Sequence, residues 1–111
     1  MNTVLYIAVL DEFPDFMTPT LVAHSVLWAH LAFSGKPTYE DWLKNSFKKC
    51  VLRVSRAEFD KIATLPDVYL GHENNTLLGQ KTCAVVLPIP AGSSRDELPN
   101  VLKSAKLWKP K

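Results

Sequence analysis

Cysteine is scarce in this chain. Two occur among 111 residues, Cys50 and Cys83, and neither has a second ligand at metal-binding spacing. Both fall in apolar stretches and read as buried, reduced thiols of a cytoplasmic protein, so no metal, cofactor or disulfide framework is expected. Charge of one sign is also sparse. Thirteen basic against eleven acidic side chains leave +2, too little to imply a nucleic-acid partner by itself. No apolar run approaches the roughly 20 residues of a membrane span, and no membrane contact is expected. The opening apolar run lacks the basic flank and cleavage site of a signal peptide. Repeats, low-complexity tracts and linkers are missing, so residues 1–111 read as one domain. At 47% apolar and 22% charged, the composition supports a core without staples.

Residues 3–10 are apolar on both faces, as a central strand in a parallel sheet requires. An acidic turn follows, with Asp11, Glu12 and Asp15, and then a helix over 20–33 with Thr18 as N-cap and Pro19 at its first position. Val22, Val26, Ala29 and Phe33 share a stripe, with Leu21 and Trp28 beside it. Ser34-Gly35-Lys36-Pro37 stops this helix. Thr38 caps a second one, with Asp41 in its first turn and Trp42, Leu43 and Phe47 as its apolar face. Residues 49–54 form the second strand. Ser55 and Glu58 make a capping box for a helix over 56–64, packed through Phe59 and Ile62.

A third strand spans 67–72, a loop 73–80, and a fourth strand 82–87, which Pro88 and Pro90 end. Ser94 and Glu97 form a second capping box, starting a last helix toward Trp108. The order is β-α-α-β-α-β-β-α. It predicts a three-layer α-β-α domain on a four-stranded mixed sheet, three strands parallel through right-handed crossovers and the last antiparallel. In that topology residues 11–20 and 72–81 meet over one rim, where open α/β sheets place their ligands.

Three stretches resemble type II peptidyl-tRNA hydrolases. One is the apolar strand, short loop and helix carrying Leu21-Val22-Ala23-His24-Ser25. Another is the tryptophan helix leading into Lys49-Cys50-Val51-Leu52-Arg53-Val54-Ser55. The third is Gly79-Gln80-Lys81-Thr82 entering the final strand, with prolines after it. The resemblance implies hydrolysis of the ester between a peptide and tRNA, and often a homodimer. The departures bear on chemistry. Where the family has Gly-Lys-Gly-Lys, this chain has Met17-Thr18-Pro19-Thr20. The family's helical glutamine aligns with His24, and its Ser-His pair with Val26-Leu27. Its Asp-Ala-Gly-Arg-Thr stretch becomes Gly71-His72-Glu73-Asn74-Asn75-Thr76, with Thr76 matching only if the loop is shortened. Gly79 and Thr82 match best.

His24 lies one turn into the first helix. It can serve as a general base or hold a phosphate, or it can be a half-buried histidine bonded to Thr20 or the backbone. His30 lies about 240° further round the helix, so the two cannot share a metal. The helix start, with Thr18 and Thr20, attracts anions, although the acidic turn opposes them. Lys81 can substitute for the missing lysine, forming an acid–base set with His24, His72 and Glu73. The candidate catalytic pair is therefore His24 and Lys81, and the candidate ligand contacts are Thr18, Thr20, His72, Glu73, Thr76, Gly79 and Thr82. Lysines 103, 106, 109 and 111 form a basic tail that can touch RNA phosphates or simply be solvated. Trp28, Trp42 and Trp108 read as core or interface anchors, with Trp42 or Trp108 suiting a homodimer. Two functions stay open. One is a binding module of this fold, taking tRNA, a nucleotide or, through the acidic turn, a basic protein. The other is an active peptidyl-tRNA hydrolase with a divergent site.

Overall fold

A computed structural model describes residues 3–73, 79–88 and 99–111. The chain folds as a mixed α/β structure. Strand β1 (Val4–Leu10) leads through a 3₁₀ turn (Asp15–Met17) into α1 (Thr18–Phe33) and α2 (Pro37–Asn45). Strand β2 (Lys48–Val54), α3 (Arg56–Ala63), β3 (Val68–Glu73), β4 (Gln80–Val86), α4 (Asn100–Ser104) and β5 (Lys106–Leu107) follow. The sheet order is β3-β4-β1-β2-β5. β1 and β2 pair in parallel, β4 runs antiparallel to both β1 and β3, and β5 runs antiparallel to β2.

The sheet therefore has five strands where the sequence predicts four. The added strand is two residues long and pairs Leu52 with Leu107 and Arg53 with Lys106. So short a segment carries no alternation that periodicity could detect. The capping box at Ser94 and Glu97 lies outside the described residues.

Alternation along the central strands separates two cores. Leu5, Ile7 and Val9 of β1 join Cys83 and Val85 of β4 and the buried residues of α1 and α2 in one cluster. Ala8 and Leu10 join Leu52, Val54, Ala84 and Val86 with Phe59, Ile62 and Leu102 in the other. Trp42 is almost fully buried, and its indole N–H donates to the Lys48 carbonyl at 2.7 Å. It is thus a core residue, and an interface role through Trp42 is corrected. Phe47 is not on the α2 face. It sits past the helix end at φ 63°, exposed, stacked on Trp42 and covered by the Lys49 ammonium.

Helix α1 turns most of its predicted stripe to the core, Val22 and Val26 packing there beside Leu21, Ala29 and Phe33, and departs from it at Trp28. Its buried residues are Thr18, Leu21, Ser25, Ala29 and Phe33, while Trp28 is exposed. The helix is apolar nearly all round, so its sequence does not single out one face. A close approach decides the register. A Cβ built on Gly71 of β3 would lie 1.9 Å from Ser25 Oγ and 2.6 Å from Ser25 Cβ. Small residues on both sides are what bring the helix onto the strand. With the preceding turn, residues 15–33 have mean hydropathy 1.2 and are long and apolar enough to cross a membrane by length and composition. Here the same residues cover a sheet.

Both helix starts also differ from expectation. Thr18 is the first helical residue and not the cap, because the 3₁₀ turn runs directly into α1. α2 begins at Pro37 with Lys36 as cap, and Glu40 is the acid of its first turn. The capping box on α3 forms as the sequence predicts, with Glu58 N–H donating to Ser55 Oγ and Ser55 N–H to Glu58 Oε1.

Candidate functional site

The chain direction puts the ends of β1, β2 and β3 and the start of β4 on one rim, since β4 opposes the others. The start of α1 follows β1 there. His24 and Glu73 meet across this rim at 3.4 Å, Nε2 to Oε2. Forty-nine residues of sequence separate them, and the fold closes the gap. The imidazole is half-exposed while the carboxylate is buried. A neutral His24 with its proton on Nε2 can donate to Glu73, and a protonated one forms an ion pair.

Glu73 is the last residue of β3 and not part of a loop. Gly79 closes the turn back to it by donating its N–H to the Glu73 carbonyl at 2.8 Å. Gly79 does so at φ 82°, a left-handed conformation that glycine adopts without steric cost. Thr76 lies outside the described residues.

The rest of the predicted set divides. Thr20 and Lys81 are exposed, and Lys81 makes no ion pair with His24, His72 or Glu73 among the described residues. Among the described residues, the ion-pair partner of His24 is therefore Glu73 and not Lys81. His72 lies against the Trp28 indole, ring centroids 4.6 Å apart. Thr18 and Thr82 lie below the surface. The Thr82 and Ser25 hydroxyls sit beside the Cys83 sulfur, a weak partner, and meet no stronger one. Burial pushes the Cys83 thiol up, which leaves it protonated at neutral pH. Packing covers Thr18 and Thr82, whereas Thr20 is open to solvent. Cys50 and Cys83 are free thiols. Among the described residues no three His, Cys, Asp or Glu side chains group as a metal site would need.

His30 has a structural partner, with Nδ1 2.7 Å from the Tyr39 hydroxyl. Burial pushes the Tyr39 phenol upward, the nearby Glu40 adding to it.

Next to this rim lies an arrangement that the sequence did not reveal. β1 and β2 are adjacent parallel strands, so the turn after β1 falls beside Arg53 near the end of β2. Arg53 forks onto Asp15, with both bonds at 3.0 Å, and bonds Asp11 at 2.9 Å. Its guanidinium also stacks over the Trp108 ring and donates to the Lys109 carbonyl. Lys111 reaches Asp11 through its ammonium at 3.0 Å and Asp15 through its backbone N–H at 2.9 Å. Arg56, at the first position of α3, forks onto Glu12 at 2.6 and 3.0 Å.

Each acid of the turn is held below its usual range. Lys111 chiefly lowers Asp11, Arg53 lowers Asp15, and Arg56 lowers Glu12. The acidic turn and part of the basic tail therefore neutralise one another.

A scan against protein-family models finds no match. A search of curated proteins finds none either. The rim is where the chain gathers polar side chains from distant elements. It offers an imidazole backed by a buried carboxylate, one exposed lysine, and a threonine beside the helix start. The signal in the sequence was residue type at a strand end and a helix start. Nothing in the sequence marked Glu73, rather than Lys81, as the partner of His24.

Proposed function

We propose that this chain is a peptidyl-tRNA hydrolase-like domain, a three-layer α-β-α cytoplasmic module that binds an RNA or nucleotide ligand at the rim and lacks the family's catalytic pattern. One observation carries the reading: the contact between His24 and Glu73 joins the α1 start to the end of β3. The positions that would supply the family's lysines hold Thr18 and Thr20, and the stretch that would supply its aspartate reads Gly71-His72-Glu73-Asn74-Asn75-Thr76. The Arg53, Arg56 and Lys111 pairings neutralise the turn that would otherwise repel phosphate. The same pairings leave that turn little charge for a basic protein, so they favour the phosphate-bearing ligand. His24, Thr20 and Lys81 would contact it.

The test is binding of a short fluorescent RNA by the full chain over a salt series. Binding that weakens with salt, and weakens about tenfold in His24→Ala (about 1.4 kcal/mol), supports the reading. Absence of RNA binding at low salt refutes it.

A second reading rests on the same contact. Glu73 could orient His24 as a general base toward a water, as in base–orienter pairs. Release of peptide from peptidyl-tRNA, lost in both His24→Ala and Glu73→Gln, would favour the enzyme. Turnover unchanged in His24→Ala with Lys81→Ala removes both residues from any chemistry.

A further inference from the structure

The rim does not end at His24. Trp28 follows it by four residues on α1, so the two stand on one side of the helix, about 6 Å apart along its axis. The Trp28 indole is partly open to solvent and lies against the His72 imidazole, ring centroids 4.6 Å apart. Trp28, Leu31 and Ala32 of α1 and Tyr69 and His72 of β3 line one shallow depression of about 460 Å³. That size is within the roughly 300–1,000 Å³ of small-ligand sites. Three of these five side chains are flat rings, and none is Asp, Glu, Lys or Arg. β3 is an edge of the sheet, with β4 as its one strand neighbour among the described residues. Backbone N–H and C=O groups on its outer side thus face outward beside the rings.

Charged groups stand at one end of the depression. His24 and Glu73 meet there at 3.4 Å. Lys81 is exposed and pairs in register with His72 across β3 and β4. The Glu73 carboxylate is buried, and a protonated His24 beside it answers its charge, which leaves Lys81 to draw an anion.

We propose that this depression is a nucleobase subsite: an unpaired nucleotide of a single-stranded RNA lays its base against Trp28, bounded by Tyr69 and His72, and sets its phosphate at His24 and Lys81. The inference rests on the RNA reading above and names the part of the strand that is recognised. The layout of charge fits a nucleotide, whose base is neutral and flat and whose phosphate follows one sugar away. Proteins hold single strands in this way, with bases on aromatic side chains and the backbone along cations. A base inside a duplex has both faces covered by its neighbours, so only an unpaired one can enter. The Tyr69 hydroxyl, the His72 ring nitrogens and the β3 edge offer donors and acceptors to the rim of the base. So shallow a site buries little of a free nucleotide, and the rest of a strand supplies the remaining contacts.

Fluorescence anisotropy of the full chain with three labelled RNAs tests it over a salt series. They are a short oligoadenylate, an abasic strand of equal length and charge, and a blunt GC-rich duplex. The oligoadenylate should bind about tenfold tighter than the abasic strand at equal salt, as one stacked base provides. Trp28→Ala should remove that preference and leave the salt dependence unchanged, while Trp28→Phe, still a flat ring, should keep most of it. Equal binding of the oligoadenylate and the abasic strand overturns the subsite but leaves the RNA reading in place. Failure of all three RNAs to bind at low salt refutes the reading itself, and the subsite with it. A duplex or free adenosine monophosphate bound as tightly as the oligoadenylate overturns the subsite, and so does a preference for bases that survives Trp28→Ala. Flotation with neutral phosphatidylcholine vesicles that is lost in Trp28→Ala would assign the depression to lipid and overturn it as well.

Discussion

Replacing Gly71 with alanine probes the contact that sets α1 on the sheet. The new Cβ would stand 1.9 Å from Ser25 Oγ, 2.6 Å from Ser25 Cβ and 3.1 Å from Ser25 Cα. Carbon atoms in contact prefer about 3.5–4.0 Å. Rotating the hydroxyl away removes the first clash only, because the Cβ and Cα are fixed to the helix. α1 must therefore lift from β3 by roughly 1 Å, at an overpacking cost of about 1–3 kcal/mol. Alanine's smaller unfolded-state entropy returns about 0.4–1 kcal/mol at most. The expected outcome is a net loss near 2 kcal/mol, or ~8 °C in thermal midpoint for a chain of this size.

The decisive comparison is between two second-site changes. Ser25→Gly removes both offending side-chain atoms and should couple favourably with Gly71→Ala by about 1–2 kcal/mol in a double-mutant cycle, beyond its own helix penalty of about 1 kcal/mol. Ser25→Ala keeps the Cβ and should show much weaker coupling. Thermal melts of the parent, the three single variants and the two doubles suffice. Gly71→Ala as stable as the parent chain, or Ser25→Ala rescuing as well as Ser25→Gly, would refute the reasoning.

Three further outcomes follow from the same structure. Trp42→Phe should lower the unfolding free energy by about 1–3 kcal/mol in urea titration, because the core loses part of the buried indole together with its N–H bond to the Lys48 carbonyl. Asp11, Glu12 and Asp15 are held below their usual range, so the stability they add is fully present above their unfolded values near ~4 and lost as pH falls through the folded ones. Trp108 fluorescence should accordingly hold steady from pH 7 to about 5 and change in more acid solution, and a change complete above pH 5 contradicts the pairing. Arg53→Lys keeps the charge but loses the fork to Asp15 and the stacking on Trp108, so carboxypeptidase should trim its tail sooner than the parent's.

Much of the fold was legible because its signals are local. The apolar run of β1, the Ser55–Glu58 box and the glycine–proline stop after α1 each act within a few residues, and the structure has all three. What was not legible depends on contacts between distant parts. The outward face of α1 cannot be read from a helix that is apolar all round, and Ser25 fits inward only because Gly71 faces it. β5 exists because Arg53 stacks on Trp108 and bonds Lys109, neither of which leaves a pattern in residues 106 and 107. The shared rim followed from strand order, and His24 of α1 meets Glu73 of β3 there. The pairing within the rim did not, since residue type alone left His72, Glu73 and Lys81 equally eligible beside His24.

The bonds from Lys111 to Asp11 and Asp15 set an order of events during synthesis. A ribosome delivers the turn after β1 about forty residues before Arg53 and Arg56, and almost a hundred before Lys111. The two arginines can pair the carboxylates by mid-chain, but the Lys111 bonds to Asp11 and Asp15 come only when residue 111 has been made. Assembly of this corner therefore waits on residues 106–111. A cut upstream of them would leave Asp11 and Asp15 without the Lys111 bonds and Arg53 without its stacking on Trp108.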